Sequence, residues 1–141
     1  MQDQYVEFVV NQVTYAMTIH HIHEIIRVRE MTHIPNHKPF VKGVINLRGQ
    51  VLPVVGLRER MGLDRGETTS LSRILILDVQ GEMFGAIVDQ VNRVTELPSI
   101  VPPPEYAVQE SHDLIAGIAQ EKNVLIHILQ AERIFVETNS R

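Results

Sequence analysis

The chain repeats itself, and that repeat limits its folds more than any other feature. At an offset of 69, Val6, Phe8 and Val10 fall on Leu75, Leu77 and Val79, Tyr15 on Phe84, Ile19 on Val88, Ile22 on Val91 and Ile25 on Val94. At an offset of 74, Gly43 and Val44 fall on Gly117 and Ile118, Val51, Leu52, Val54 and Val55 on Leu125, Ile126, Ile128 and Leu129, and Met61 on Phe135. The offset changes within a proline loop, so hairpin, strand, loop, glycine and hairpin recur in order. Halves of about 65 residues have thin cores alone and gain by packing on each other.

The repeating units read as β structure. The chain has 18 Val and 15 Ile against 11 Leu and 6 Ala, and β-branched side chains suit a pleated, half-buried surface better than a helix. Tyr5–Val10 and a strand from Val13 flank Asn11-Gln12 as a hairpin. Residues 22–29 read as a short helical turn running into a strand, and residues 32–39, with Pro35 and Pro39, as a loop. A second hairpin spans 43–55, with Asn46 and Gly49 at the first and last positions of a four-residue turn. Leu57–Leu63 is a brief helical end, and 64–72 is a polar linker. The second half then restarts: a hairpin about Gln80-Gly81, a short strand at 91–97, a proline loop, a hairpin about Glu121-Lys122 and a helix from Gln130. The expected fold is all-β with short helices, as two subdomains, about 5–63 and 73–136, sharing a core. Gly43, Gly49, Gly85 and Gly117 are read as structural turn positions.

Composition removes several functions. Lys and Arg number 13 against 17 Asp and Glu, a formal charge of −4, so no basic field for nucleic acid is present. With no cysteine, disulfide scaffolds, thiol catalysis and thiolate metal sites are excluded. The N-terminus lacks the basic and apolar segments of a signal peptide, and no apolar run reaches the roughly 18 residues of a membrane helix; a cytoplasmic protein is the simplest expectation. No dinucleotide, P-loop, zincin or nucleophile-elbow motif occurs, and no cofactor is expected.

The histidines are the main lure toward chemistry. On a strand, His21 and His23 share a face and could hold zinc, with His20, His33 and His37 nearby. The repeat places His20, His21 and His23 on Asp89, Gln90 and Asn92, which favours a polar surface row; a small His-cluster metal-binding protein is the remote alternative. His127, aligned with Pro53, reads as an outward or edge residue. Glu24 with Glu30, or Glu105 with Glu110, could be a catalytic pair, but nothing brings them together, and a solvated face fits better. Arg48 sits at a hairpin tip, where a guanidinium suits recognition of a partner's carboxylate or carbonyl; spacing alone favours a solubilising loop charge.

Residues 43–63, GVINLRGQVLPVVGLRERMGL, resemble the signature of the CheW family, coupling proteins of bacterial chemotaxis. YVEFVVNQVTYAMTIHHIHEII resembles the family's opening hairpin, FGAIVDQVNRV its second-half pattern, and PPPEY with LIAGIAQEKNVLIHIL its closing segment, so the likeness covers about 5–136. Gly56 and Gln130 depart from it, standing where acidic residues are common. The resemblance implies two SH3-like five-stranded barrels over a shared core. It implies a non-catalytic adaptor that joins the helical hairpin at the cytoplasmic tip of chemoreceptors (methyl-accepting chemotaxis proteins) to the CheW-like domain of the histidine kinase CheA. An adaptor of another chemosensory pathway, such as pilus motility, is the alternative. By the same resemblance Glu24, Asn46 and Arg48 are partner-binding positions, and Ile22 and Val91 lie where the barrels meet, beside a groove for the receptor hairpin. No nucleic acid, metal or membrane insertion is implied; recruitment to membrane receptor arrays is.

Overall fold

The computed structural model describes residues 3–35, 38–64, 66–97, 99–103 and 114–135. Its strands are β1 (Gln4–Val10), β2 (Val13–Thr18), β3 (Ile22–Arg27), β4 (Val41–Leu47), β5 (Gln50–Gly56), β6 (Arg73–Val79), β7 (Glu82–Val88), β8 (Gln90–Glu96), β9 (Ile100–Val101), β10 (Ile115–Glu121) and β11 (Val124–Leu129). A 3₁₀ turn, Ile19–His21, precedes β3, and short helices α1 (Leu57–Arg60) and α2 (Ala131–Ile134) follow β5 and β11.

Tight two-residue turns close four hairpins, and in each both central residues have positive φ: Asn11-Gln12, Arg48-Gly49, Gln80-Gly81 and Lys122-Asn123. Such turns match the twist of the flanking strands. This shifts two expected turns by one residue. Leu47 pairs with Gln50, so Arg48 and Gly49 are the central residues, and Glu121 pairs with Val124, so Lys122 and Asn123 are. The expected helical start of 22–29 is also displaced: residues 22–27 are strand, and the helical turn lies just before them.

The strands form two sheets, β8-β1-β2-β11-β10-β9 and β3-β6-β7-β5-β4. These are the two SH3-like barrels, here barrel one and barrel two; barrel two has the five strands expected, and barrel one has a sixth, the two-residue β9. The boundary expected between 5–63 and 73–136 belongs to the repeat and not to the barrels. Barrel one takes β1 and β2 from the first half and β8 to β11 from the second, while barrel two takes β3 to β5 and then β6 and β7. Each barrel contains one parallel contact that joins the halves, β11 to β2 and β5 to β7. β1 and β6 likewise find their second partners in the other half, β8 for β1 and β3 for β6.

Alternation along β6 shows how the core is divided. Leu75 and Leu77 face a central cluster with Val6, Phe8 and Met17, whereas Ile74 and Ile76 fill barrel two with Leu52 and Val54. All four β6 side chains are fully buried. Each contributes roughly 1.5–3 kcal/mol relative to exposure. Barrel one has its own smaller filling of Ala16, Leu97, Ala119, Ile126 and Ile128. The repeat breaks at Glu7, which stands at the position of Ile76 yet is buried. Its carboxylate accepts from Asn92 Nδ2 and Arg93 Nε, each at 3.0 Å. A buried charge persists only with such partners.

Of the glycines expected at turns, only Gly49 (φ +87°) occupies one. Gly43, Gly85 and Gly117 lie inside β4, β7 and β10. They serve close approach: a Cβ on Gly43 would stand 2.5 Å from the Thr32 carbonyl oxygen, and one on Gly117 would stand 2.8 Å from that of Val101. One on Gly85 would meet Ile74 Cγ2 at 2.7 Å.

Candidate partner surface

β3 and β8 are equivalent strands of the repeat, and each stands at one end of its sheet. Each carries an irregularity at the same place: pairing with the neighbour shifts between Ile22 and Glu24, and between Val91 and Arg93. The bulge sets residues three apart on one face. Ile22 and Ile25 lie opposite Leu77 and Leu75, and Val91 and Val94 lie opposite Phe8 and Val6, all central-core residues. Ile22 and Val91 are half-buried against that core. Ile25 and Val94 continue the same faces into solvent, at 38% and 55% exposure.

Glu24 and Arg48, far apart in sequence, meet here. Arg48 Nη2 donates to Glu24 Oε1. The tip is braced by Asn46, whose Oδ1 accepts from the Gly49 N–H at 2.9 Å and whose carbonyl accepts from Arg29 Nη1 at 3.1 Å. Asp78 caps the Gly81 N–H in the same way at the β6–β7 turn. The Arg48 side chain therefore has a partner rather than hanging free, as the sequence suggests. Yet it remains 65% exposed, and a guanidinium has five N–H donors, so donors are left within reach of a second protein.

Barrel one has a related pair in which the strand supplies the cation and the turn the carboxylate. Arg93, the mate of Glu24, donates through Nη2 to Glu121 Oε1 at 2.5 Å, beside Lys122, the mate of Arg48. The hydrogen bond to Glu7 holds the Arg93 guanidinium above its ordinary pKa, so its charge does not titrate in any range where proteins fold.

The histidines diverge. His20 lies 3.9 Å from Asp3, His21 3.3 Å from Glu132 and His23 3.8 Å from Glu24. Among the described residues no group of three or more His, Cys, Asp or Glu side chains could hold a metal. His33 lies exposed in the first proline loop, and His37, Glu105 and Glu110 lie outside the described residues. Glu30 falls past the end of β3, with no pairing to Glu24 among the described contacts. His127 is half-buried on β11, its ring 5.6 Å from that of Tyr15 and its Nδ1 3.3 Å from the Thr14 carbonyl oxygen. Gly56 and Gln130 are equivalent and precede α1 and α2. At Gly56 the missing side chain leaves room for Glu59, which pairs with Lys42 at 2.8 Å.

Residues 4–139 match the family model described as the CheW-like domain. The chain belongs to the CheW-like family. It is 31% identical to the chemotaxis protein CheW of Bacillus subtilis over 99% of this chain and 90% of that protein. It is 29% identical to CheW of Helicobacter pylori, covering 93% and 80%. The crystal structure of the scaffolding protein TtCheW from Thermoanaerobacter tengcongensis superposes with a TM-score of 0.91 at 32% identity, covering 100% of this chain and 92% of that one. The protein is thus a CheW-family chemotaxis scaffold. No helix among the described residues is long and apolar enough to cross a membrane.

What sequence reasoning missed is a polar knot, Arg58 with Asp89 and Asn11, and the solvent exposure of Ile25 and Val94. The second had a faint signal: both are apolar in both copies of the repeat, three residues past Ile22 and Val91, where strict alternation would put them on the other face.

Proposed function

We propose that this CheW-family chain couples the helical hairpin of a chemoreceptor's cytoplasmic tip to the CheW-like domain of the kinase CheA, by binding and without catalysis. It works in the cytoplasm and is recruited to membrane receptor arrays. The observation that carries this reading is the exposed Ile25 and Val94 on equivalent strands, continuous with the inter-barrel core. An amphipathic helix buries its apolar stripe on such a surface. Glu24, Asn46 and Arg48 supply polar orientation beside it. Similarity to Protein PilI of Pseudomonas aeruginosa reaches 31% identity but covers 61% of this chain, against 99% for CheW of Bacillus subtilis, so chemotaxis is favoured over another pathway.

Titration against a receptor hairpin fragment and against a CheA fragment tests the reading. Arg48→Ala is expected to weaken at least one of them by roughly 1 to 4 kcal/mol, the range of a charged hot spot, which is about 5-fold to several hundred-fold. Glu24→Ala acts in the same direction but less. Unchanged affinity for both fragments in Arg48→Ala would leave Arg48 a surface charge.

A further inference from the structure

The chain passes between the barrels at two places: through Ile19–His21, from β2 to β3, and through Asp89 alone, from β7 to β8. The second crossing is tied on every side. The Asp89 carboxylate receives a two-pronged grip from Arg58, Nε to Oδ1 at 3.2 Å and Nη2 to Oδ2 at 2.9 Å. Oδ2 also accepts the Asn11 N–H at 2.8 Å, and the Asp89 N–H donates to the Val9 carbonyl at 2.9 Å. Arg58 Nη1 reaches Asn11 Oδ1 at 3.4 Å. Arg58 thus leaves α1 in barrel two and holds both the crossing and the β1–β2 turn of barrel one. Gly66 of the polar linker packs on the guanidinium; a Cβ there would stand 2.5 Å from Cζ.

The repeat supplies an internal control. Asp89 has His20 as its mate, Arg58 has Glu132 and Asn11 has Gln80. At the other crossing, among the described residues, the ties are imidazole–carboxylate pairs, His20 with Asp3 and His21 with Glu132, and no two-pronged grip is seen there. α1 makes one more tie between the barrels: Arg60 donates to the Ile134 and Arg133 carbonyls at 2.6 and 2.7 Å. The central core itself, built of side chains such as Phe8 and Leu77, attracts without direction. A bidentate guanidinium–carboxylate pair fixes geometry as well as energy.

We propose that Arg58 is a positioning residue: by clamping Asp89 it makes the β7–β8 crossing a fixed pivot and sets the angle between the barrels. The spacing of Ile25 from Val94 follows from that angle. The consequence for receptor binding rests on the function proposed above; the clamp does not.

The absence of cysteine allows a direct test in the full chain. Spin labels at Val51→Cys on β5 and Leu125→Cys on β11, equivalent positions exposed at 62% and 48%, report the inter-barrel distance by pulsed electron resonance. With Arg58 present a single narrow distribution is expected. Arg58→Ala is expected to broaden it and move its mean by more than about 2 Å, the scale of a domain rearrangement, while Arg58→Lys recovers part of the narrow population. Asp89→Asn, which keeps the acceptor for Asn11 but loses the charged pair, is the second variant and decides the matter if Arg58→Ala does not fold. A distribution as narrow and centred as the parent's in whichever of these variants folds would overturn the proposal. Because no partner is present, that outcome is separate from a failure of the parent protein to bind a receptor fragment.

Discussion

At Arg48 one side chain meets two demands. Its φ of +53° lies in the left-handed region, which costs an L-residue roughly 1–2 kcal/mol and which asparagine tolerates better. Its ion pair with Glu24 is largely exposed and is worth about 0–1 kcal/mol. Arg48→Asn should therefore leave the urea midpoint unchanged or raise it, with at most about 2 kcal/mol gained; a lowered midpoint would mean that the pair is worth more than the strain. Gln80 and Lys122 adopt the same φ, so the strain alone does not mark Arg48 as functional; the role proposed for it rests on its exposed guanidinium. The divergent histidines give a second expectation: purified protein carries no stoichiometric zinc, and a chelator leaves its melting temperature unchanged. One tightly held metal per chain, with a stability loss on chelation, would contradict it. That Arg48 is exposed was legible from Asn46-Leu47-Arg48-Gly49. Its pairing with Glu24 could be named only as an alternative to a free side chain, because nothing local joins residue 48 to residue 24. The register of the turn was ambiguous for a physical reason: Asn46 favours the start of a four-residue turn, while Gly49 equally suits the second centre of a two-residue one.

At the scale of elements, the two proline-loop returns are pinned alike. Thr32 bridges Val44 of β4, and β9 pairs with β10 through Val101 and Ile118. Gly43 and Gly117 make room for those returning segments. Gly43→Ala and Gly117→Ala should each cost about 1–3 kcal/mol, as overpacking does, since backbone rather than a flexible tip must move. Hydrogen exchange should localise the damage: in Gly43→Ala the amides of Thr32 and Val44, which bond each other's carbonyls at 2.9 Å, lose protection first. Equal exchange in variant and parent would show that the neighbour yields freely. Hairpins and both short helices were readable from β-branched runs and turn residues. The role of these glycines was not, because close approach by a segment ten or more residues away leaves no local mark.

The whole molecule shares strands rather than joining finished units. A cut at Gly66 leaves a first fragment with β1 to β5 and a second with β6 to β11, and neither holds a full set for either barrel. Each fragment alone should melt without a cooperative transition, and mixing should restore one. Fragment 1–66 melting at the temperature of the intact chain would refute this. The repeat showed that there were two units and a common core. It could not show which half supplies which strand, because equivalent strands have similar alternation, and β3 could pair with β1 or with β6 on pattern alone.

That exchange also sets a timetable for the nascent chain. Barrel two is complete once β7 has left the ribosome, whereas β1 and β2, made before it, wait for β8 and β11. Until then the β1–β2 hairpin shows open edges bearing Val6, Phe8 and Val10, and such surfaces are prone to aggregation until their partners arrive. Long-range pairings of this kind also slow folding. Synthesis rate and chaperone supply are therefore expected to affect the yield of folded protein.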